Sequence, residues 1–451
     1  MSSSFHLPGK KNHSSCRISS TSGIERSCRD PFTLTAKAGS HDLTRETSPT
    51  NAALKLSAGG ATATSEGNAA TKGDGIMKAS IIVGVITAAV GYLYGKVLSF
   101  CVTTMWHTLP RMLQTENFNP TYFITGLCTF GGLLMGILSS ALSSTTFTVA
   151  DFVSLFSSSS DSSKSLPSSR VYLLPLLLLS LVTSTFGFSV GPEAPMVCAG
   201  ALIGASFARY FYGQNASTEN QETLAYAGAS GALTAFMGIP IAGSIFALEL
   251  TSSCAGMNKA GGKRALSSTV MSSIAALVVI KAILDPLSTV GGHFNYGAVG
   301  ALSGRAMIAT AIACGAGGGL LGTVFHKLVG AIKKVAWTTK FGAKNPSTND
   351  NKKNLWQRPI IVKTIIGLLV GLLSSSYPQT LFWGEGSLQT VISGQHTAFI
   401  DTKHGLSQIL TSAARVNPNL PFASAGAAAQ VGVAKLVAIA LACAGKFPGG
   451  K

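Results

Sequence analysis

The chain has 451 residues, 46% of them hydrophobic and only 11% charged, with a mean hydropathy of +0.38. Soluble domains carry about 25% charged residues, so this composition excludes an ordinary soluble fold and indicates a membrane protein. The formal net charge of +17 has no basic patch with interleaved aromatics behind it, so no nucleic-acid partner is expected.

Residues 1–77 form a separate region. The opening "MSSSFHLPGKKNHSSCRISSTSG" is rich in Ser, Thr and Gly without an apolar period, the composition of a disordered tail. Residues 1–40 hold six Lys/Arg against two acids. That balance resembles an organellar transit peptide, as for a chloroplast or another endomembrane, and equally a plain cytoplasmic tail.

From Ala79 the pattern is that of membrane helices. Residues 117–150, 171–192, 223–248, 306–325 and 364–384 contain no Lys, Arg, Asp or Glu, and about 20 apolar residues suffice to cross a bilayer. Helices are expected at 79–102 and 122–142. An amphipathic piece at 147–156 and a Ser-rich loop at 157–169 follow. Further helices are expected at 171–190 and 193–210. The run 224–250 is interrupted by Gly238 and Pro240, so it reads as two short helices. The remaining candidates are 265–285, 303–337, 359–378 and 429–444. Several are too short or too broken to cross alone. Non-helical backbone at membrane depth is tolerated only inside protein or along a cavity, and so points towards a transport site.

One residue stands out in "GFSVGPEAPMVCAGALIG" (187–204). Glu193 is the only charge between Arg170 and Arg209, and a carboxylate in such surroundings costs several kcal/mol unless paired, hydrogen-bonded or protonated. Gly191-Pro192 ends one helix and Pro195 suits the first turn of the next, which places Glu193 at a helix N-terminus inside the membrane. That end exposes unpaired N–H groups and a partial positive charge, and it attracts anions. Two roles remain open from the residues alone. Glu193 is either a cap or paired buried acid, or a carboxylate that competes with a mobile anion and so acts as a gate.

The eight cysteines lack CxxC spacing, and Cys128, Cys198, Cys314 and Cys443 read as small buried hydrophobes. His107, His293, His326, His396 and His404 are isolated, as loop or helix-end residues. No nucleophile–base set, metal-ligand cluster or phosphate loop stands out, so no enzyme activity and no resident cofactor are expected.

These motifs resemble those of the CLC family of chloride channels and anion/proton transporters. "GPEAPMVCAGALIGASFAR" is similar to that family's "G-[KR]-E-G-P" segment. "AGASGALTAFMGIPIAGSIFALELTS" (227–252) is similar to its next signature, with Pro240, Ile241, Ala242, Gly243, Phe246 and Glu249 in register. "FWGEGSLQTVI" (382–392) resembles a later loop, and "VAKLVAIALACAGKFPGGK" (433–451) the approach to the third signature. The resemblance covers about residues 79–451. It implies an all-α integral membrane protein, multi-pass, with inverted repeats of tilted and broken helices meeting at mid-membrane, acting as a homodimer in the lipid bilayer. The ligand implied is a transported inorganic anion, chloride foremost.

By resemblance, Glu193 is the gate. Gly191, Ala194 and Pro195 flank the outer anion site, and Gly449 and Gly450 begin the second anion-binding helix. Ser144 or Thr145 stands near the family's central-site serine, although its "G-S-G-I-P" motif is not recognisable; a loop hydroxyl bonded to backbone is the competing reading. Phe246, Glu249 and Leu250 lie on the helix below the pore. Leu250 occupies the position where proton-coupled members carry a relay glutamate, and Leu cannot carry a proton. Two departures are specific to this chain. Pro192 replaces a basic residue and supplies no N–H, and Ala194 replaces a glycine. The sequence stops at Lys451 within the third signature, so a fragment with an incomplete second repeat is expected. The resulting readings are an anion channel gated by Glu193, a proton-coupled anion exchanger with its relay elsewhere, or a non-conducting membrane subunit.

The excess positive charge sits in the tail and in residues 327–363, where nine Lys/Arg face the single acid Asp350. Basic segments stay on the cytoplasmic side or its organellar equivalent. Tags in residues 1–77 and in 327–358 should therefore be labelled from the same face of sealed vesicles. Labelling from opposite faces would refute the assignment.

Overall fold

The computed structural model of the protein describes residues 63–113, 119–142, 169–213, 216–252, 261–284, 304–338, 349–384, 388 and 424–449. Among them the regular structure is helical: α1 (Ala63–Thr103), continuing through a π-turn (Thr104–Thr108) into α2 (Leu109–Met112); α3 (Pro120–Ala141); α4 (Ser169–Thr185); α5 (Glu193–Tyr212); α6 (Thr218–Met237); α7 (Pro240–Ser252); α8 (Gly261–Val279), with a π-turn at Ile280–Leu284; α9 (Gly304–Thr338); α10 (Asn349–Ser376); a 3₁₀ turn (Pro378–Thr380); and α11 (Ala425–Ala444). Seven of the described helices are long and apolar enough to cross a membrane; Val171–Thr185 and Pro240–Glu249 are shorter apolar helices.

Local chemistry accounts for the boundaries. Asn119 accepts from the Thr121 N–H at 2.9 Å and Pro120 opens α3, a cap followed by a residue whose missing N–H costs nothing there. Gly238, at φ +74°, ends α6 with its N–H on Thr234 O at 2.7 Å, and Pro240 starts α7. The expected break of the 224–250 run thus falls at Gly238–Ile239.

Three expectations are corrected in extent. The first helix begins at Ala63, within the stretch assigned to the tail, and runs on without a break to Met112. Helix 359–378 begins ten residues earlier, at Asn349, with Pro359 inside it. The segment 171–190 does not stay helical: α4 stops at Thr185. Gly187 then takes φ +77°, where a Cβ would press on the Trp106 ring at 2.7 Å and on Leu381. The Trp106 indole donates to Thr185 O at 2.7 Å, satisfying a carbonyl that the next turn of helix would have used.

Helices approach closely where side chains vanish. Gly200 on α5 and Gly228 on α6 lie against each other so tightly that a methyl group on either would strike the other's carbonyl. Gly132 of α3 meets the backbone of α10 at Lys363 and Gly367 in the same way. Without a hydrophobic driving force between helices in lipid, such contacts supply packing instead. Hydroxyls add to it. Ser230 (α6), Ser244 (α7) and Ser273 (α8) bond one another, and Ser272 donates to Ala227 O at 2.7 Å. A larger aromatic core, with Trp106, Phe186, Phe188 and Phe447, joins α1 and α3 to the loops that follow α4 and α11.

Of the four cysteines read as buried, Cys128 and Cys198 are; Cys443 is partly exposed, and Cys314 on α9 is exposed.

Gly228→Val should lower the stability of the detergent-solubilised protein by about 3 kcal/mol, the upper end for overpacking, because backbone rather than a side-chain tip is in the way. A thermal shift assay that shows no loss would contradict the packing described.

Candidate functional site

Glu193 is the first residue of α5, with Pro192 as its N-cap. The first turn has few donors to offer. Pro192 and Pro195 carry no N–H, and the Met196 N–H is bonded to Pro192 O at 2.9 Å. This first turn lies at the positive end of the helix dipole. The Glu193 carboxylate folds back over Gly191: a Cβ at residue 191 would collide with both carboxylate oxygens. Glu193 and Ala194 are partly buried, and Pro195 is fully buried.

Glu193 borders a cavity of about 730 Å³, shared with Gly191 and Gly449. Gly449, at φ +102°, lies against the Gly191 carbonyl so closely that a side chain would overlap it. Two segments about 260 residues apart in sequence, each singled out from its motif, are therefore neighbours in space. Gly450, Ser144 and Thr145 lie outside the described residues. Phe246 and Glu249 are on α7 with exposed side chains and do not border the cavity. Leu250 belongs to α7 by position.

The cavity also has walls that sequence reasoning missed. Trp383 comes from the loop after α10, Ile439 and Cys443 from α11, and His326 and Lys333 from α9. His326, isolated in the sequence and expected in a loop or at a helix end, lies inside α9 and shares the cavity with Glu193. No spacing in the sequence links α9 to residue 193, so the pairing is a product of the fold.

Three breaks in helical structure meet beside this cavity. The Phe382 N–H donates to Gly187 O at 3.1 Å, and Ser189 Oγ donates to Thr380 O. Phe188 packs on Phe447 at 4.3 Å between ring centroids, and Trp106 meets Phe382 edge-on at 5.3 Å.

Two lysines, Lys363 buried and Lys435 half-buried, tie the breaks to the helices. Lys363 of α10 is 4% exposed. It donates to Ser139 Oγ and, at 3.5 Å, to Lys446 O, and lies 5.3 Å above the Phe447 ring. Lys435 of α11 donates to Thr380 O at 2.9 Å, Leu381 O at 3.4 Å and Phe382 O at 2.5 Å. Bonds from a charged donor contribute about 1.5–3 kcal/mol each, enough together to offset the several-kcal/mol cost of an ammonium at membrane depth. Among the described residues, the cavity wall brings together the Glu193 carboxylate at the start of α5 and the Lys333 and His326 side chains of α9.

Comparisons with known proteins identify the family and the fold. The family model described as voltage gated chloride channel matches residues 160–451, well over half of the chain. No curated protein matches the sequence. Among solved structures, a slow cyanobacterial Cl⁻/H⁺ antiporter is 16% identical with a TM-score of 0.54, over 83% of this chain and 89% of that one. A eukaryotic CLC transporter is 16% identical with a TM-score of 0.51, over 83% and 68%. A CLC-type fluoride/proton antiporter is 17% identical with a TM-score of 0.50, over 82% and 85%. At these identities the structural likeness speaks for the fold. Together with the family match, it shows that the chain belongs to the CLC family of voltage-gated chloride channels, multi-pass membrane proteins that transport anions.

Proposed function

We propose that the protein is a passive chloride channel, with Glu193 as the gate and the first turn of α5, the Gly191 backbone and the Gly449 turn as its anion site. The observation that carries the reading is the meeting of Glu193, Gly191 and Gly449 at one cavity. The carboxylate lies at the helix end that an anion would use, so plug and permeant ion exclude each other. Protonation removes the charge of the plug, and flux rises as pH falls. The same reading takes the working form as a homodimer.

Passive conduction, rather than exchange, follows from Leu250. A coupled proton path needs titratable stations on both sides of the gate, and α7 offers Leu at the position where the family's exchangers have a glutamate. One observation favours the exchanger instead. His326 lies on the same cavity as Glu193, and an imidazole can hold a proton in place of a carboxylate.

Reconstitution into liposomes separates the readings. A chloride gradient should drive anion flux without stoichiometric proton movement. Glu193→Gln and Glu193→Ala should raise flux at neutral pH roughly tenfold, the gain from removing a plug present about nine-tenths of the time, and abolish its pH dependence. Uphill proton transport that is lost in Glu193→Ala would establish the exchanger. A wild-type protein that passes no anion would establish the non-conducting subunit.

A further inference from the structure

Lys435 shares one face of α11 with Ile439 and Cys443, which border the Glu193 cavity. An ammonium has three N–H donors and no acceptor. Here all three are spent on successive carbonyls, those of Thr380, Leu381 and Phe382, so Lys435 has no donor left for an ion in the cavity. The loop bends to make this possible. Phe382 takes φ +56°, an unusual value for a residue with a side chain. Gly384, at φ +99°, brings its backbone so near that a Cβ there would lie 3.2 Å from Lys435 Cε and 3.4 Å from Nζ. Residues 380–384 thus wrap the ammonium.

The next residue after the three carbonyls is Trp383, which borders the cavity. In a trans peptide the N–H points opposite to the C=O. Carbonyls drawn towards Lys435 therefore keep their partial negative charge out of the wall that Trp383 helps to form. The same loop is bonded to Gly187 and Ser189, in the segment that delivers Glu193.

We propose that Lys435 is a positioning residue that sets charge selectivity: it withdraws three backbone oxygens from the anion cavity and holds Trp383 in its wall. The proposal rests on the anion-conducting reading above. Without the ammonium, the Leu381 and Phe382 carbonyls lose this donor, Thr380 O keeps its bond from Ser189 Oγ, and the loop relaxes towards the cavity, where the released oxygens repel anions and attract cations.

The test is the reversal potential and the chloride half-saturation of reconstituted wild type, Lys435→Met, Lys435→Gln and Lys435→Arg under a KCl gradient. The expected result for Lys435→Met is a reversal potential moved towards zero and a half-saturation raised about tenfold. Lys435→Gln, neutral but still a donor, should move both in the same direction and serves the same purpose if the Met variant fails to insert. Lys435→Arg, which keeps charge and donors, should stay within about twofold of wild type. A purely structural role would lower the number of active molecules and leave both quantities unchanged. A chloride-selective wild type whose reversal potential and half-saturation survive Lys435→Met or Lys435→Gln overturns this proposal alone, as does an equal loss in Lys435→Arg. A wild type that conducts no anion overturns the proposed function and this proposal together.

Discussion

Inside hydrocarbon there is no water to satisfy a backbone group, so every helix that ends at membrane depth must find protein partners for its last carbonyls and first N–H groups. Among the described residues, three of the breaks between helices, at 186–192, 377–384 and 445–449, serve each other. The indole of Trp106 takes the Thr185 carbonyl, Gly187 O receives the Phe382 N–H, and Lys363 and Lys435 reach carbonyls of the other two segments. The cavity beside Glu193 is what remains between them. Carbonyls beside it are turned towards lysines, and the first residue of α5, Glu193, stands at its wall.

Close packing makes the arrangement rigid. Where Gly200 faces Gly228 and Gly132 faces α10, helix axes come as near as backbones allow. Small shifts of one helix cannot be absorbed by side-chain rearrangement there. The buried Ser230–Ser244–Ser273 cluster adds directional bonds between α6, α7 and α8. The start of α5, with Glu193, is held by the same packing.

Much of the fold was legible because membrane helices announce themselves by long uncharged runs, and Gly–Pro pairs mark their ends. Glu193 was legible for the related reason that a single charge in such a run is conspicuous. What escaped has a common physical origin. The stop at Thr185 depends on Trp106, about 80 residues away, and on a left-handed Gly187 pressed against that ring. Pro359 suggested a helix start but lies inside α10. The three acceptors of Lys435 come from a loop about 50 residues earlier. His326 gave no pattern at all. Local rules see neighbours in sequence, and these features are made by neighbours in space.

The contact between Gly449 and Gly191 has a consequence for biosynthesis. The two residues are separated by about 260 others, and at ribosomal rates of about 5–20 residues per second the second arrives roughly 13 to 50 s after the first. Throughout that interval the first turn of α5 exists without the Gly449 turn that completes the cavity wall beside it. The order in which helices leave the insertion machinery is therefore itself a constraint on making the site.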